Sequence, residues 1–328
     1  MRIVYLDQNK WIELAQASLG RSKSQHLREV LEILRGARDL NLACFPVAFS
    51  HYIETHKHRN PERRASLAAF MRDMSGGLTI AAYPHLIRYE IDAALYKRFP
   101  GRVTPDHLAS LNLLGKGLSH AAGIPRFRLV LPDADLTGDQ AKLWRLIKAQ
   151  IEDIYEEDML SGTSRFTGEE APRADLSAPE LAFKQHLDQL ASRLQPLDAE
   201  TRERVLHATA LVDIVQPLNE ALVRHSISWI DFLALGEDGV SDFVEDLPTK
   251  RLDIGLQREW AKNSGLRAKR SELIDWGQVG PMVMYCDVVV TEKLFADLVK
   301  RTRIEHRAAV LTNLRHLPSA LLHTASAQ

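Results

Sequence analysis

Apolar and polar positions divide the chain into three parts. It opens with a continuous apolar run, Ile3-Val4-Tyr5-Leu6, which ends abruptly in Asp7-Gln8-Asn9-Lys10. A short run with no polar face suits a strand covered on both sides, as in a parallel sheet. A helix is expected from about Trp11 to Ser18. A second is expected from about Gln25 to Arg38, where Leu27, Val30, Leu31 and Leu34 recur at helical spacing. Leu42 to Phe45 reads as the next strand. Pro46 suits the first turn of a helix over Val47 to about His58, because proline lacks only a donor that is orphaned there. Leu78 to Ala81 reads as a third strand, and Pro84 opens a helix to about Tyr96. This rhythm predicts an α/β fold, a parallel sheet with helices on both faces.

From about Gly101 to Lys262 the pattern is nearly all helical. Gln140 to Glu157, Ala178 to Leu194 and Ala199 to Val223 are amphipathic, while Ser161 to Asp175 has loop composition. The last part returns to α/β. A helix over Ser271 to Tyr285 is weakened by Gly277, Gly280 and Pro281. Val288-Val289-Val290 is a strand closed by Thr291-Glu292. A helix from Lys293 to about Arg301 and a strand over Ala309 to Thr312 follow. The expected organisation is a discontinuous domain, residues 1–100 plus 263–328, interrupted by a large all-helical insertion over 101–262.

Composition narrows the class. The chain has 328 residues, 42 Lys+Arg against 43 Asp+Glu, and 45% apolar residues. Those values belong to an ordinary globular protein, not to a disordered one. A net charge of −1 excludes coating nucleic acid by bulk charge, yet permits a local basic groove. Two cysteines, Cys44 and Cys286, exclude a disulfide framework and a multi-cysteine zinc site, and are expected as buried thiols. Apolar runs are too short to span a membrane, and the N-terminal one is too short for a signal peptide. A cytoplasmic protein is the expectation.

The placement of acids is the informative feature. Ligands of open parallel sheets bind outside the carboxyl ends of the strands. Asp7 ends the first strand and Glu292 follows Val288–Val290. Glu54 lies in the helix after the second strand, one turn beyond Ser50. Asp275 lies near the start of the helix before the strand that ends at Glu292. Brought together, such carboxylates repel and raise one another's pKa values unless a hard cation joins them. Mg²⁺ or Mn²⁺ fits an oxygen-donor set and can activate water against a phosphodiester. Asp287 is an alternative metal ligand to Glu292. Asn9, Ser50 and Thr291 are candidates to orient the ligands by hydrogen bonds. Lys57, Arg59, Lys293 and Arg270, each in a basic cluster near one of the acids, are candidates to hold substrate phosphates. Thirteen histidines show no paired zinc spacing.

These motifs resemble the PIN-domain superfamily of metal-dependent ribonucleases. The opening Ile3-Val4-Tyr5-Leu6-Asp7-Gln8-Asn9 is similar to the family's strand, acid and small polar residue. Glu54 after Ser50 is similar to its second acid, Asp275 to its third, and Val288 to Glu292 to its strand ending near a fourth. The spacing of 17 residues between Asp275 and Glu292 suits that helix–strand unit, and Ala309 to Asn313 resembles the closing strand. Glu at 292 departs from the more usual Asp. The resemblance covers the two ends of the chain, about 150 residues, and says nothing of the middle. It implies endoribonuclease activity with Mg²⁺ or Mn²⁺ held by Asp7, Glu54, Asp275 and Glu292. It also implies an RNA substrate, and a toxin or defence role with an antitoxin-like inhibitor protein as partner. A homo-oligomer is compatible with it. One alternative is a non-catalytic PIN-like scaffold whose helical part binds a protein or nucleic acid. Another is a haloacid-dehalogenase-like phosphatase, which needs an acid where this chain has Asn9.

Overall fold

A computed structural model of the chain describes residues 1–104, 108, 110–130, 137–164, 168, 175–262 and 272–323. The fold is mixed α/β and mostly helical. Packing divides it into two compact units. The first holds residues 1–82, 113–174 and 314–328, and the second residues 83–112 and 175–313.

In the first unit, β1 (Arg2–Leu6) is buried from Ile3 onward and runs parallel to β2 (Ala43–Cys44), with Arg2 opposite Ala43 and Ile3 opposite Cys44. Two helices connect them. α1 (Gln8–Ser18) ends at Gly20, whose φ of 67° only glycine adopts readily. The Arg21 N–H then reaches back to the Gln16 carbonyl at 2.9 Å and the Gly20 N–H to Ala17 at 3.1 Å, the paired bonds of a Schellman stop. α2 (Gln25–Asp39) is capped by Ser24 and buries Val30, Leu31 and Leu34. α3 (Phe49–Lys57) follows β2, starting two residues later than the position of Pro46 and Val47 suggests, because Val47 pairs with Thr79 instead.

The next helix is one that sequence reading missed. α4 (Pro61–Ser75) has Asn60 as its cap, proline at its first position and left-handed Gly76 at its end. Its Leu67, Phe70, Met71 and Met74 recur at helical spacing and are buried. β3 (Leu78–Ile80) is a strand as expected. It pairs antiparallel with β4 (Leu114–Lys116), outside the β1–β2 ladder.

The second unit opens with α5 (Tyr83–Arg98). The first unit resumes after residue 112 with α6 (Gly117–Ala122) and α7 (Gly138–Ser161). Glu156 of α7 takes the Ser119 N–H and hydroxyl at 2.9 Å each, so its carboxylate sits at the N-terminus of α6. The remaining elements are α8 (Ser177–Leu194), α9 (Ala199–Asp213), α10 (Val215–Arg224), α11 (Trp229–Leu233), α12 (Gly236–Glu245), α13 (Pro248–Ala261), α14 (Glu272–Tyr285), β5 (Val288–Val290), α15 (Lys293–Thr302) and β6 (Ala309–Leu311). A 3₁₀ turn (Leu314–His316) and α16 (Leu317–His323) return to the first unit. α9 and α10 replace the single helix expected over Ala199 to Val223. Pro217 has no N–H for the Asp213 carbonyl, and Ile214 takes a non-helical turn between them. β5 and β6 are parallel, Val288 opposite Ala309 and Val290 opposite Leu311.

The core of the second unit gathers Ile91, Leu95, Leu206, Leu218, Phe232, Phe243 and Ile254. Glu90, buried in α5, accepts from the Thr249 N–H, the Thr249 hydroxyl and the Tyr285 hydroxyl, and so ties α5 to α13 and α14. The stretch 101–262 does not form an all-helical unit of its own. Its apolar helix faces are closed by other parts of the chain, α6 and α7 within the first unit and α8 to α13 within the second, and it contributes the strand β4. Both cysteines are buried and free. Among the described residues, no helix is long and apolar enough to cross a membrane.

Candidate functional site

The first unit buries several polar side chains, Asp7, Gln8, Ser50, His51 and Thr55, on the elements around the step from β1 to α1. Asp7 stands at the carboxyl end of β1 and is 5% exposed. It occupies the N-cap position of α1, and its carbonyl takes the Lys10 N–H at 2.8 Å. Its carboxylate does not make the capping bond that an aspartate there usually makes.

α3 is clamped to this junction by His51 and Thr55, residues one turn apart on one face. His51 Nδ1 accepts the Ala48 N–H at 2.9 Å, so Nε2 carries the proton and donates to the Leu6 carbonyl at 2.8 Å. The imidazole stacks on Tyr5 with 5.3 Å between centroids and meets the edge of Trp11 at 6.2 Å. Burial pushes its pKa down to about 3, so it stays neutral. Gln8 Nε2 donates to Thr55 Oγ1 at 3.1 Å.

Ser50 and Glu54 form the neighbouring stripe of α3, about 100° around the helix from His51 and Thr55. Ser50 is buried and Glu54 half-buried. Three polar atoms of this junction, Gln8 Oε1, Trp11 Nε1 and Ser50 Oγ, are buried and reach no hydrogen-bond partner among the described residues. Buried polar atoms are nearly always paired, so each of these calls for a water, an ion or a ligand as its partner. Two of the three are oxygens. With the Asp7 carboxylate they compose the hard-donor chemistry that Mg²⁺ or Mn²⁺ takes. Among the described residues, no three His, Cys, Asp or Glu side chains form a group able to hold a metal. An ion here would complete its shell with water, the carboxamide or the hydroxyl beside the carboxylate.

The remaining predicted residues are distributed as follows. Asn9 is exposed in the first turn of α1, and Lys57 and Arg59 are exposed at the end of α3 and just beyond it. In the second unit Glu292 is exposed at the N-cap position of α15 and, like Asp7, makes no capping bond. Thr291 is buried, and its N–H extends the β5–β6 ladder to the Leu311 carbonyl at 2.9 Å. Asp275 is half-buried in α14, and Lys293 is exposed. Arg270 lies outside the described residues. Asp287 precedes β5 whereas Glu292 follows it. At about 3.3 Å per residue they stand roughly 15 Å apart, at opposite ends of the strand. They are not alternatives for one position. Asp287 Oδ1 takes both Nε and Nη2 of Arg307, at 3.0 and 2.8 Å, and its carbonyl holds the Ala309 N–H.

Sequence reading missed Gln8, Trp11 and His51. The signal for His51 was its position four residues before Thr55, on the face of α3 that holds β1. A second charged centre was missed in the second unit. Lys250, its side chain 8% exposed, pairs with Asp213 at 2.9 Å and Asp253 at 3.4 Å, beside a cavity of about 370 Å³ that Tyr83 and Trp276 also line. Burial opposes its charge, but Asp253, Tyr83 and Asp213 outweigh that and raise its pKa, which makes it a fixed cation and not a nucleophile. Burial pushes the Tyr83 hydroxyl up to about 12.

Compared with known proteins, the chain matches no family model, no curated protein and no solved structure.

Proposed function

We propose that the chain is a metal-dependent phosphodiesterase with Asp7 as its principal ion ligand, acting on RNA. The observation that carries this reading is the group of unpartnered buried polar atoms, Ser50 Oγ and Gln8 Oε1 foremost, beside a buried carboxylate that does not cap its helix. Glu54, one turn from Ser50, is the second carboxylate. A divalent ion supplies Lewis acidity for attack of water on a phosphodiester. The chain's part is to hold the donor oxygens still, and the neutral His51 clamp between α3 and Leu6 does that. RNA as substrate, and a toxin or defence role with an inhibitor protein, come from the PIN-like resemblance of the motif around Asp7.

The test is cleavage of RNA in Mn²⁺ or Mg²⁺ by the wild type and by Asp7→Asn, which keeps shape and removes charge. The reading expects cleavage that chelator abolishes and that falls at least roughly 100-fold in the folded variant. Asp275→Asn and Glu292→Gln, in the second unit, are assayed singly beside it. Cleavage that survives Asp7→Asn rejects the mechanism.

A second reading is favoured by one observation, that no three His, Cys, Asp or Glu side chains among the described residues form a metal-holding group. It is a PIN-like scaffold without catalysis. Terbium luminescence separates the two. A bound Tb³⁺ near Trp11 is sensitised by its indole, and Asp7→Asn and Trp11→Phe each remove the signal if the ion sits at this junction. The scaffold reading expects no such signal in the wild type.

A further inference from the structure

We propose that a groove between α1 and α4 binds a nucleoside monophosphate, at a site separate from the Asp7 junction and independent of any hydrolase activity there. The groove encloses about 370 Å³, within the roughly 300–1,000 Å³ usual for small-molecule sites.

Its floor is aliphatic. Ile12, Ala15 and Leu19 recur along one face of α1, and Leu67 faces them from α4. Leu19 is half exposed and leaves an apolar face open to a ligand's base at one end of the groove. Its rim is cationic. Arg21, Arg63 and His58 line it, and no carboxylate does. Neither arginine side chain pairs with an acid among the described residues, whereas Arg35, Arg38 and Arg72 of the same unit all do.

Both arginines are held in place by the backbone. The Schellman stop of α1 fixes Arg21 at one end of the groove. Asn60 Oδ1 accepts the Arg63 N–H at 2.9 Å, which fixes Arg63 in the first turn of α4, where the helix itself favours an anion. The buried Arg64 bonds the His58 carbonyl at 2.9 Å and so sets the turn that carries His58. Guanidinium forks suit the oxygens of a phosphate. The Gln16 carboxamide, also lining the groove, presents a donor and an acceptor together, as the edge of a base requires. An aliphatic floor, an amide and two guanidinium groups on the rim match base, base edge and phosphate.

The experiment is isothermal titration of the full chain, in chelator and low salt, with AMP, GMP, CMP, UMP and inorganic phosphate. At least one nucleotide should bind, at least roughly tenfold tighter than phosphate alone. Arg21→Gln and Arg63→Gln should each weaken it by about tenfold. Leu19→Ser should weaken the nucleotide and leave phosphate unchanged. All three positions are exposed, and circular dichroism checks that the variants fold. Lack of binding by any nucleotide, phosphate binding as tightly as nucleotide, or arginine variants that bind like the wild type would each overturn the proposal. So would an RNA oligonucleotide binding where no mononucleotide does. Because chelator is present throughout, failure here is distinct from failure of the hydrolase reading.

Discussion

Ser50→Ala and Thr55→Val each remove one buried hydroxyl from α3, yet they should change stability in opposite directions. Thr55 Oγ1 accepts from Gln8 Nε2 at 3.1 Å, and both residues are buried. Valine keeps the shape and strands the Gln8 amide, which costs about 1–3 kcal/mol. Ser50 Oγ is 2% exposed by residue and meets no partner among the described residues. Alanine removes a polar atom that is already desolvated for nothing in return, a gain of about 1 kcal/mol. The gap between the variants is then about 2–4 kcal/mol. Two units need not unfold together, so a single melting temperature is the wrong readout. Hydrogen exchange on peptides of α3 reads the local opening free energy instead. Exchange should slow about fivefold in Ser50→Ala and quicken about 5- to 100-fold in Thr55→Val. Added Mg²⁺ should slow it further in the wild type but much less in Ser50→Ala, if the hydroxyl serves the ion. A Ser50→Ala variant that opens faster than the wild type would refute the reasoning, because the hydroxyl must then be satisfied within the fold.

Three further outcomes follow. The folded-state pKa of His51, about 3, lies below its unfolded value near 6.5, so the unfolded chain binds the extra proton between those limits. The first unit should therefore keep this stability above about pH 6.5 and lose up to roughly 1.4 kcal/mol per pH unit below it, a slope that His51→Gln removes in acid denaturation followed by hydrogen exchange. Glu90→Gln exchanges one acceptor oxygen for an amide facing the Thr249 and Tyr285 donors, and should destabilise the second unit by about 2–4 kcal/mol in urea titrations. Asp287→Ala loses a half-exposed pair with Arg307, whose side chain is 54% exposed, and should shift the same midpoint by less than about 1 kcal/mol.

What the sequence revealed follows from how local each signal is. β5, β6 and β1 from Ile3 onward are short uninterrupted apolar runs rich in β-branched residues, which identifies them without knowledge of what they pack against. α4 was equally legible, with Asn60-Pro61 before it, Gly76 after it and Leu67, Phe70, Met71 and Met74 at helical spacing. β3 was legible as a strand and not as an antiparallel one, because β4, Leu-Gly-Lys, carries no period. α7, α8 and the stretch that became α9 and α10 were legible from their period as well, while α11 to α13 were legible only as part of a helical region. Which unit each apolar face belongs to is a tertiary fact that no period records. The site divides in the same way. Asp7 is conspicuous because it ends an apolar run. His51 and Gln8 matter through bonds to residues 45 and 47 positions away, and neither stands out from its neighbours in the sequence.

Asp7 differs from an equivalent aspartate in the same chain. Asp198 and Asp7 are the same residue type at the same position, the N-cap of a helix, and both have extended ψ, 169° and 152°. Asp198 does what that position favours, and its carboxylate accepts the Thr201 N–H at 2.9 Å. Ser24 and Asn60 cap α2 and α4 likewise. At Asp7 the same bond is not made, and α1 forgoes about 1 kcal/mol that its first turn could have had. Exposure does not explain the difference, because Asp7 is 5% exposed and a capping bond would also have lowered the penalty of burying its charge. The side chain lies in the part of the first unit where α3 is clamped down by a neutral histidine and where Gln8 and Ser50 hold buried oxygens that meet no hydrogen-bond partner among the described residues. The capping bond is kept at Asp198, Ser24 and Asn60 and forgone at Asp7, and a buried carboxylate left out of its cap is what the proposed ion site requires.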